Sequence, residues 1–359
     1  MNDPFRDLVL GLLFAIMLGW VLVEGRGVIL PVVASFIVAY IVLGLADLIG
    51  RLPGVGARIP ETIRHMAAIV LIGMALFGII SLILANIGEV AARAPDYQQR
   101  LLAAIQAGAD LLKIETEPTW ETLRQDVLSQ INLQRAMGTV AASLASIVAT
   151  FSVVVIYAGF LLTEKGAFDK KVGRLSDDPA RVAHLRTLIA AINRRIGTYL
   201  AVKTAINVFL GLLSYTIMRI AGIEFAGFWA LLIGLFNYIP YVGSFLGVTF
   251  PVALAVVQFG ALGPVIALTA ALAGAQIFVG NFLEPYLMGN SLNLSPFVIL
   301  VSLVVWSAMW GLPGAILSVP ITAILVIVLS EFKRTRPIAI LLSRDGEITS
   351  SATGDGAGA

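Results

Sequence analysis

Apolar residues in this chain come in long unbroken runs, not in the two-residue alternation of a half-buried strand. Runs long enough to cross a hydrocarbon core of about 30 Å lie at residues 8–23, 28–49, 66–87, 137–162, 198–219 and 261–282. Helices are expected for each, because backbone polar groups in lipid find no water and must bond within their own segment. The first run is the shortest. Its flank is nearly neutral (Asp3, Arg6, Asp7), no small-x-small cleavage site follows, and a second run begins at once. It is therefore expected to be an uncleaved first span.

Two further stretches, 225–259 and 296–332, are long but broken in the middle. The first breaks at Pro240, Tyr241, Val242 and Gly243, the second at Gly311, Leu312, Pro313 and Gly314. Their leading arms, 225–239 and 296–310, reach only about 22 Å at about 1.5 Å per residue. Each stretch is expected to be a helical hairpin, either re-entrant or fully spanning. The returning arms resemble each other, with Thr249 two residues before Pro251 and Ser318 two residues before Pro320. Opposite directions of insertion would make the pair an inverted repeat, the arrangement at whose interface transporters bind substrate. Ordinary proline-kinked spans without internal symmetry are the alternative.

Between these runs, residues 89–135 are polar but helical in pattern, with Tyr97, Leu101, Ala104, Ile105, Leu111 and Leu112 near helical spacing. Trp120, Leu123, Val127, Leu128 and Ile131 repeat the theme after Pro118. The tail 348–359 is small and polar, and disorder is expected there.

Composition turns these patterns into a class. The chain is 58% hydrophobic and only 13% charged, against roughly 25% charged for a soluble protein, and its mean hydropathy is +0.93. Residues 220–332 contain no Lys, Arg or His, and only Glu224, Glu284 and Glu331 as acids. A water-soluble surface cannot be built that way, whereas a lipid-facing one must be, since a charge at the bilayer centre costs about 3 kcal/mol or more. The expected fold is all-α, a polytopic helical membrane protein with about eight membrane segments, two of them broken hairpins.

The positive charges set the sidedness. Arg51, Arg58 and Arg64 follow the second run; Lys165, Lys170, Lys171, Arg174, Arg181, Arg186, Arg194 and Arg195 follow the fourth; Lys333, Arg334 and Arg336 open the tail. All lie on one side if the N-terminus does too, which makes that side the cytoplasm. The expected organisation is membrane segments one to three in 1–88, extracytoplasmic amphipathic helices in 89–136 and a fourth segment in 137–163. A basic cytoplasmic loop follows in 164–197, then a C-terminal membrane core in 198–332 and a cytoplasmic tail in 333–359. Topology and anionic-lipid contact account for the basic loop, so no nucleic-acid partner is expected.

Enzyme chemistry finds no foothold. The chain has no Cys and only two distant histidines, His65 and His184, so neither a disulfide nor a metal-ligand cluster is expected. No phosphate-binding loop, dinucleotide fingerprint or nucleophile elbow is present. What remains is a sparse set of polar residues: Asn237, Ser244 and Thr249 at the first hairpin, Gln258, Gln276, Asn281 and Glu284 on or beside the next helix, and Asn290 and Asn293 before the second hairpin. Glu284 is a functional candidate as an intramembrane carboxylate, or it ends a helix in the wet interface, because Pro285 follows it. Asn237 and Gln276 are substrate ligands or interhelical hydrogen-bond glue. Lys203, just inside its run, is expected to snorkel to the cytoplasmic surface.

Residues 237–243 (NYIPYVG), 281–285 (NFLEP), 287–289 (LMG), 294–296 (LSP), 310–314 (WGLPG) and 318–320 (SVP) resemble, in order and spacing, the autoinducer-2 exporter family of permeases. Ser244 stands where that family often has proline, and Ser307 where glycine is common. The resemblance implies a bacterial inner-membrane protein, N- and C-termini cytoplasmic, transporting without ATP hydrolysis and fitting a homo-oligomer, with no cofactor. It implies export of a small polar molecule, autoinducer-2 among them, or exchange of sodium or lithium for protons; a non-transporting scaffold is a third class. Substrate-binding or gating roles are expected of Asn237, Pro240, Tyr241, Gly243, Thr249, Gln276, Asn281, Glu284, Pro285, Gly311, Pro313, Gly314 and Ser318.

Overall fold

The computed structural model describes residues 4–53, 56–111, 133–289 and 292–346, and the expectations for 112–132 and 348–359 fall outside them. Among the described residues the secondary structure is helical: α1 Pro4–Glu24, α2 Arg26–Gly50, α3 Glu61–Leu111, α4 Leu133–Val172, α5 Pro179–Ala221 and α6 Ala226–Phe236. Then come α7 Val242–Phe259, α8 Leu262–Phe278, a π-helical turn Val279–Leu283, α9 Glu284–Met288, α10 Pro296–Glu331 and α11 Arg336–Leu342. Among the described residues seven helices are long and apolar enough to cross a membrane, and Val9–Glu24 and Ala226–Phe236 are shorter apolar ones. This is a polytopic helical membrane protein.

Several helices outrun the apolar segments that demand them. α3 continues without a break into the polar residues beyond Asn86, so the third span and the start of the expected outer helices are one element. Most of the basic segment after α4's apolar part is helical too. Lys170 and Lys171 fall in α4's last turn, where they complement the helix dipole. Asp178 caps the start of α5 through Ala180 N–H, 2.9 Å from its Oδ1, with Pro179 in the first turn.

The described chain divides into two compact units. One draws on residues within Met1–Ile69, Thr150–Val202 and Met288–Ala359. Its core gathers Ile196, Tyr199 and Leu200 of α5, Val298, Val319, Ala323 and Val326 of α10, and Ala339 of α11. Residues 336–344 are thus no loose tail. α11 docks on this core, and Arg344 N–H bonds Asn293 O while Ser295 N–H bonds Leu342 O, at 3.3 and 3.2 Å. Tyr40 O–H of α2 donates to Asn193 Oδ1 at 2.6 Å, and Trp310 Nε1 to Leu22 O at 2.9 Å.

α10 is the second broken hairpin. Gly311 sits at φ 63°, ψ −142°, a region open essentially to glycine. There the chain reverses, so that Trp306 Nε1–H reaches Thr322 Oγ1 at 3.1 Å, sixteen residues on. A straight helix would hold those residues about 24 Å apart. Gly314 closes the tip: a Cβ there would run into Trp306 O.

The other unit draws on residues within Val70–Ala149 and Lys203–Leu287 and holds the first hairpin, α6 and α7. Its arms meet through the stacked rings of Trp229 and Phe250, 6.2 Å apart. Gly243 lies against Phe236 O as Gly314 lies against Trp306 O, with no room for a Cβ. Tyr241 makes the turn at φ 61°, ψ −51°, with Val242 N–H bonded to Pro240 O at 2.6 Å. That is a γ-turn of the rare, strained hand. Both hairpins thus take the same solution, a glycine pressed on the carbonyl of the arm it returns along.

The tip glycines generate a stability prediction. Gly243→Ala and Gly314→Ala should each cost about 1–3 kcal/mol through overpacking, read as a lower unfolding temperature in detergent. Gly274→Ala, where a Cβ meets nothing, should leave it unchanged or higher. Equal effects at all three would contradict the tip geometry.

Candidate membrane-embedded polar site

In the unit formed by 70–149 and 203–287, one face of α5 carries polar groups through an apolar span. Lys203, Asn207 and Ser214 recur at helical spacing and are 4%, 3% and 1% exposed. Burying an ammonium group is costly unless it is paired and hydrogen-bonded. Glu284 supplies the pair: Lys203 Nζ donates to its Oε1 at 2.7 Å. The snorkelling expected of Lys203 is therefore corrected, because its ammonium is buried against a carboxylate. The Glu284 side chain stays 28% exposed, so the site is closed on the ammonium side and open on the carboxylate side.

Local chemistry puts Glu284 there. Pro285 has no N–H to give the carbonyl four residues back, and its ring crowds that turn. The helix widens into the π turn Val279–Leu283, and Glu284 N–H bonds Val279 O, five residues back. Such single π turns inside α-helices are frequent at functional sites. Pro285 therefore does not end the helix, which runs on to Met288. It re-phases the helix so that the carboxylate faces α5.

One turn along α5 a neutral cluster continues the polar face. Asn237, the C-terminal cap of α6, donates its Nδ2 to Asn207 Oδ1 at 2.7 Å, and both are buried. Thr204 Oγ1 and the Tyr238 hydroxyl lie 2.8 Å apart. The tip of the first hairpin is thus tied to α5 by amide and hydroxyl groups, beside a charge pair. Together they can bind hydroxyls and carbonyls, with acceptors from Glu284 and donors from Lys203 and the amides.

The remaining expected residues are placed as follows. Pro240, Tyr241 and Gly243 form the tip itself, with Tyr241 exposed. Gln276 is half-buried, its Nε2 directed at Gly247 and without a hydrogen-bond partner. Asn281 lies exposed on the π turn, and Pro285 is exposed after it. Thr249 is exposed and bonds back to Phe245 O at 2.8 Å. Gly311, Pro313, Gly314 and Ser318 belong to the other unit. There Ser318 is fully buried and donates to Ala315 O at 2.8 Å.

Sequence reasoning missed Lys203 as a partner, and missed Thr204, Asn207 and Tyr238 altogether. The i, i+4, i+11 spacing of Lys203, Asn207 and Ser214 was the signal that could have found the α5 face.

A second polar knot ties the far end of α5. Gly222 closes that helix, with Ile223 N–H reaching back to Met218 O at 2.9 Å. Gln258 of α7 spans the turn, donating to Gly222 O at 2.7 Å and accepting from Glu224 N–H at 3.0 Å. Arg93 of α3 pairs with Glu224 at 3.0 Å and Glu89 at 2.9 Å, over the Phe225 ring.

Buried polar groups thus converge between long apolar helices. The chain belongs to the AI-2E transporter family: the pattern described as AI-2E family transporter matches residues 10–334. It is 28% identical over 343 residues to the AI-2 transport protein TqsA of Escherichia coli K12, covering 93% of this chain and 96% of that one. A putative transport protein of Borreliella burgdorferi is 31% identical over 211 residues, 58% of this chain and 57% of that protein. The putative transport protein YhhT of Escherichia coli K12 is 27% identical over 290 residues, 80% of each chain.

The pair generates a double-mutant prediction. Removing one partner of a fully buried pair costs about 3–5 kcal/mol; the partial exposure of Glu284 should bring Lys203→Met or Glu284→Leu to about 3 kcal/mol or less. The double variant should recover much of that loss, because no charge is left stranded. Thermal unfolding in detergent checks it, and strictly additive losses would contradict the contact.

Proposed function

We propose that this chain is a secondary transporter or facilitator of the bacterial inner membrane that exports a small polar organic molecule. Its solute would be held at Lys203, Glu284, Asn207, Asn237, Thr204 and Tyr238. One observation carries the reading: a charge pair one turn from a cluster of neutral hydrogen-bonding groups on the apolar stretch of α5. Such groups are expensive in a membrane core and are found there for function. A hydroxylated solute would give its O–H groups to Glu284 and accept from Lys203 and the amides. The relative named an AI-2 transport protein makes autoinducer-2 the first molecule to try. The bilayer is the surrounding partner, a proton or sodium ion would couple the flux, and a homo-oligomer fits the family. The one-sided Arg and Lys segments support cytoplasmic termini.

A sodium/proton antiporter is the second reading, and Glu284 is its carboxylate. It is weaker because the Lys203 ammonium already occupies the position a metal cation would take. A scaffold would have no use for a buried ion pair.

Purified protein in liposomes, assayed for autoinducer-2 flux and sodium-linked pH change, tests the reading. A hydrogen bond to a charged group is worth about 1.5–3 kcal/mol, so Glu284→Gln or Lys203→Gln should lower solute flux about tenfold or more. Thr249→Val, whose hydroxyl serves only its own helix, should stay near wild type. Sodium-linked pH change without solute flux would select the antiporter, and a folded protein moving neither would leave the scaffold.

A further inference from the structure

We propose that the groove between α5 and α6 is a binding site for a small uncharged amphiphile, an apolar chain or ring bearing a hydroxyl or carbonyl. The groove shares Thr204, Asn207 and Tyr238 with the proposed solute site but not Lys203 or Glu284, so an empty groove would leave the charge-pair reading standing.

The cavity holds about 380 Å³, within the size range of small-ligand sites. None of the described residues lining it is charged. An ion would lose its hydration there and find no counter-charge, so the occupant is neutral. Val208 and Leu212 border it and are 57% and 63% exposed on a membrane-facing helix. The occupant is thus taken from the hydrocarbon, and one part of it is apolar.

The other part is polar. Thr204 and Tyr238 both line the groove, and their hydroxyls share one hydrogen bond at 2.8 Å. Two hydroxyls carry two protons and this bond uses one. The second is available to a ligand oxygen or to Asn207, which also lies within hydrogen-bonding reach of Tyr238. Asn207 lines the same stretch. A donor at one place in an apolar slot selects a molecule with one oxygen-bearing head and an apolar body.

Gly227 makes the space. A Cβ there would meet only the Tyr215 ring, at 3.9 Å, so a larger side chain enters the groove without backbone strain. Gly227→Leu is therefore a filling variant expected to fold, and Leu231→Trp, at another lining position, is an independent one.

The test uses the full chain in lipid nanodiscs, photolabelled with an octanol carrying a diazirine and mapped by mass spectrometry. Adducts should concentrate on residues 204–215 and 227–238 and be competed by unlabelled octanol. They should fall to the level of the other lipid-facing helices in Gly227→Leu and in Leu231→Trp. Tyr238→Phe should weaken the competition about tenfold, the worth of one hydrogen bond. An octyl sulfonate probe, permanently charged, should give no such concentration. Adducts spread over all lipid-facing helices, equal labelling by the sulfonate, or undiminished labelling in both filling variants would each overturn the proposal.

Discussion

A lysine placed on a membrane helix creates an obligation. Its ammonium must reach water or meet a carboxylate, and in this chain Lys203 meets Glu284 at 2.7 Å. Much of the surrounding unit follows from that contact. The π turn before Glu284, the proline after it and the polar face of α5 each make sense as parts of one arrangement. The pair does not explain itself through stability, because well-packed apolar residues would serve a membrane core as well or better. The amide and hydroxyl cluster one turn away gives the pair polar neighbours, and the proposed solute site rests on the two together.

The two hairpins show how irregular backbone is satisfied where apolar helices turn back. Each tip leaves carbonyls and N–H groups outside regular helix, which protein must satisfy. At the first, Val242 N–H and Gly243 N–H turn back on Pro240 O and Ile239 O. Gly243 lets the returning helix start against Phe236, and at the second Gly314 does so against Trp306. These are rigid, side-chain-free contacts. They hold Asn237 and Tyr238 in place at the first tip, one residue apart, facing α5.

Much of this could be read from the amino acids. The broken stretches announced themselves through Pro240, Gly243, Gly311 and Pro313, because proline and glycine act locally and their effect needs no distant partner. The charge pair did not. Lys203 and Glu284 are 81 residues apart, and a lysine near the end of an apolar run looks the same whether it snorkels or pairs. Pro285 left two readings open, an intramembrane carboxylate or a helix end, and here a π turn absorbs the proline. The docking of α11 was hidden too, since the seven residues Arg336–Leu342 give little periodicity. What decides these cases is tertiary contact, which a single sequence does not print.

The most direct measurement of the central claim is a charge exchange. Lys203→Glu and Glu284→Lys should each abolish a folded, monodisperse protein, because each puts two like charges into one partly buried place. The exchanged pair, carrying both substitutions, should restore folding and an unfolding temperature close to that of the native chain. If the exchanged protein is no better than either single reversal, Lys203 and Glu284 do not answer one another in the membrane.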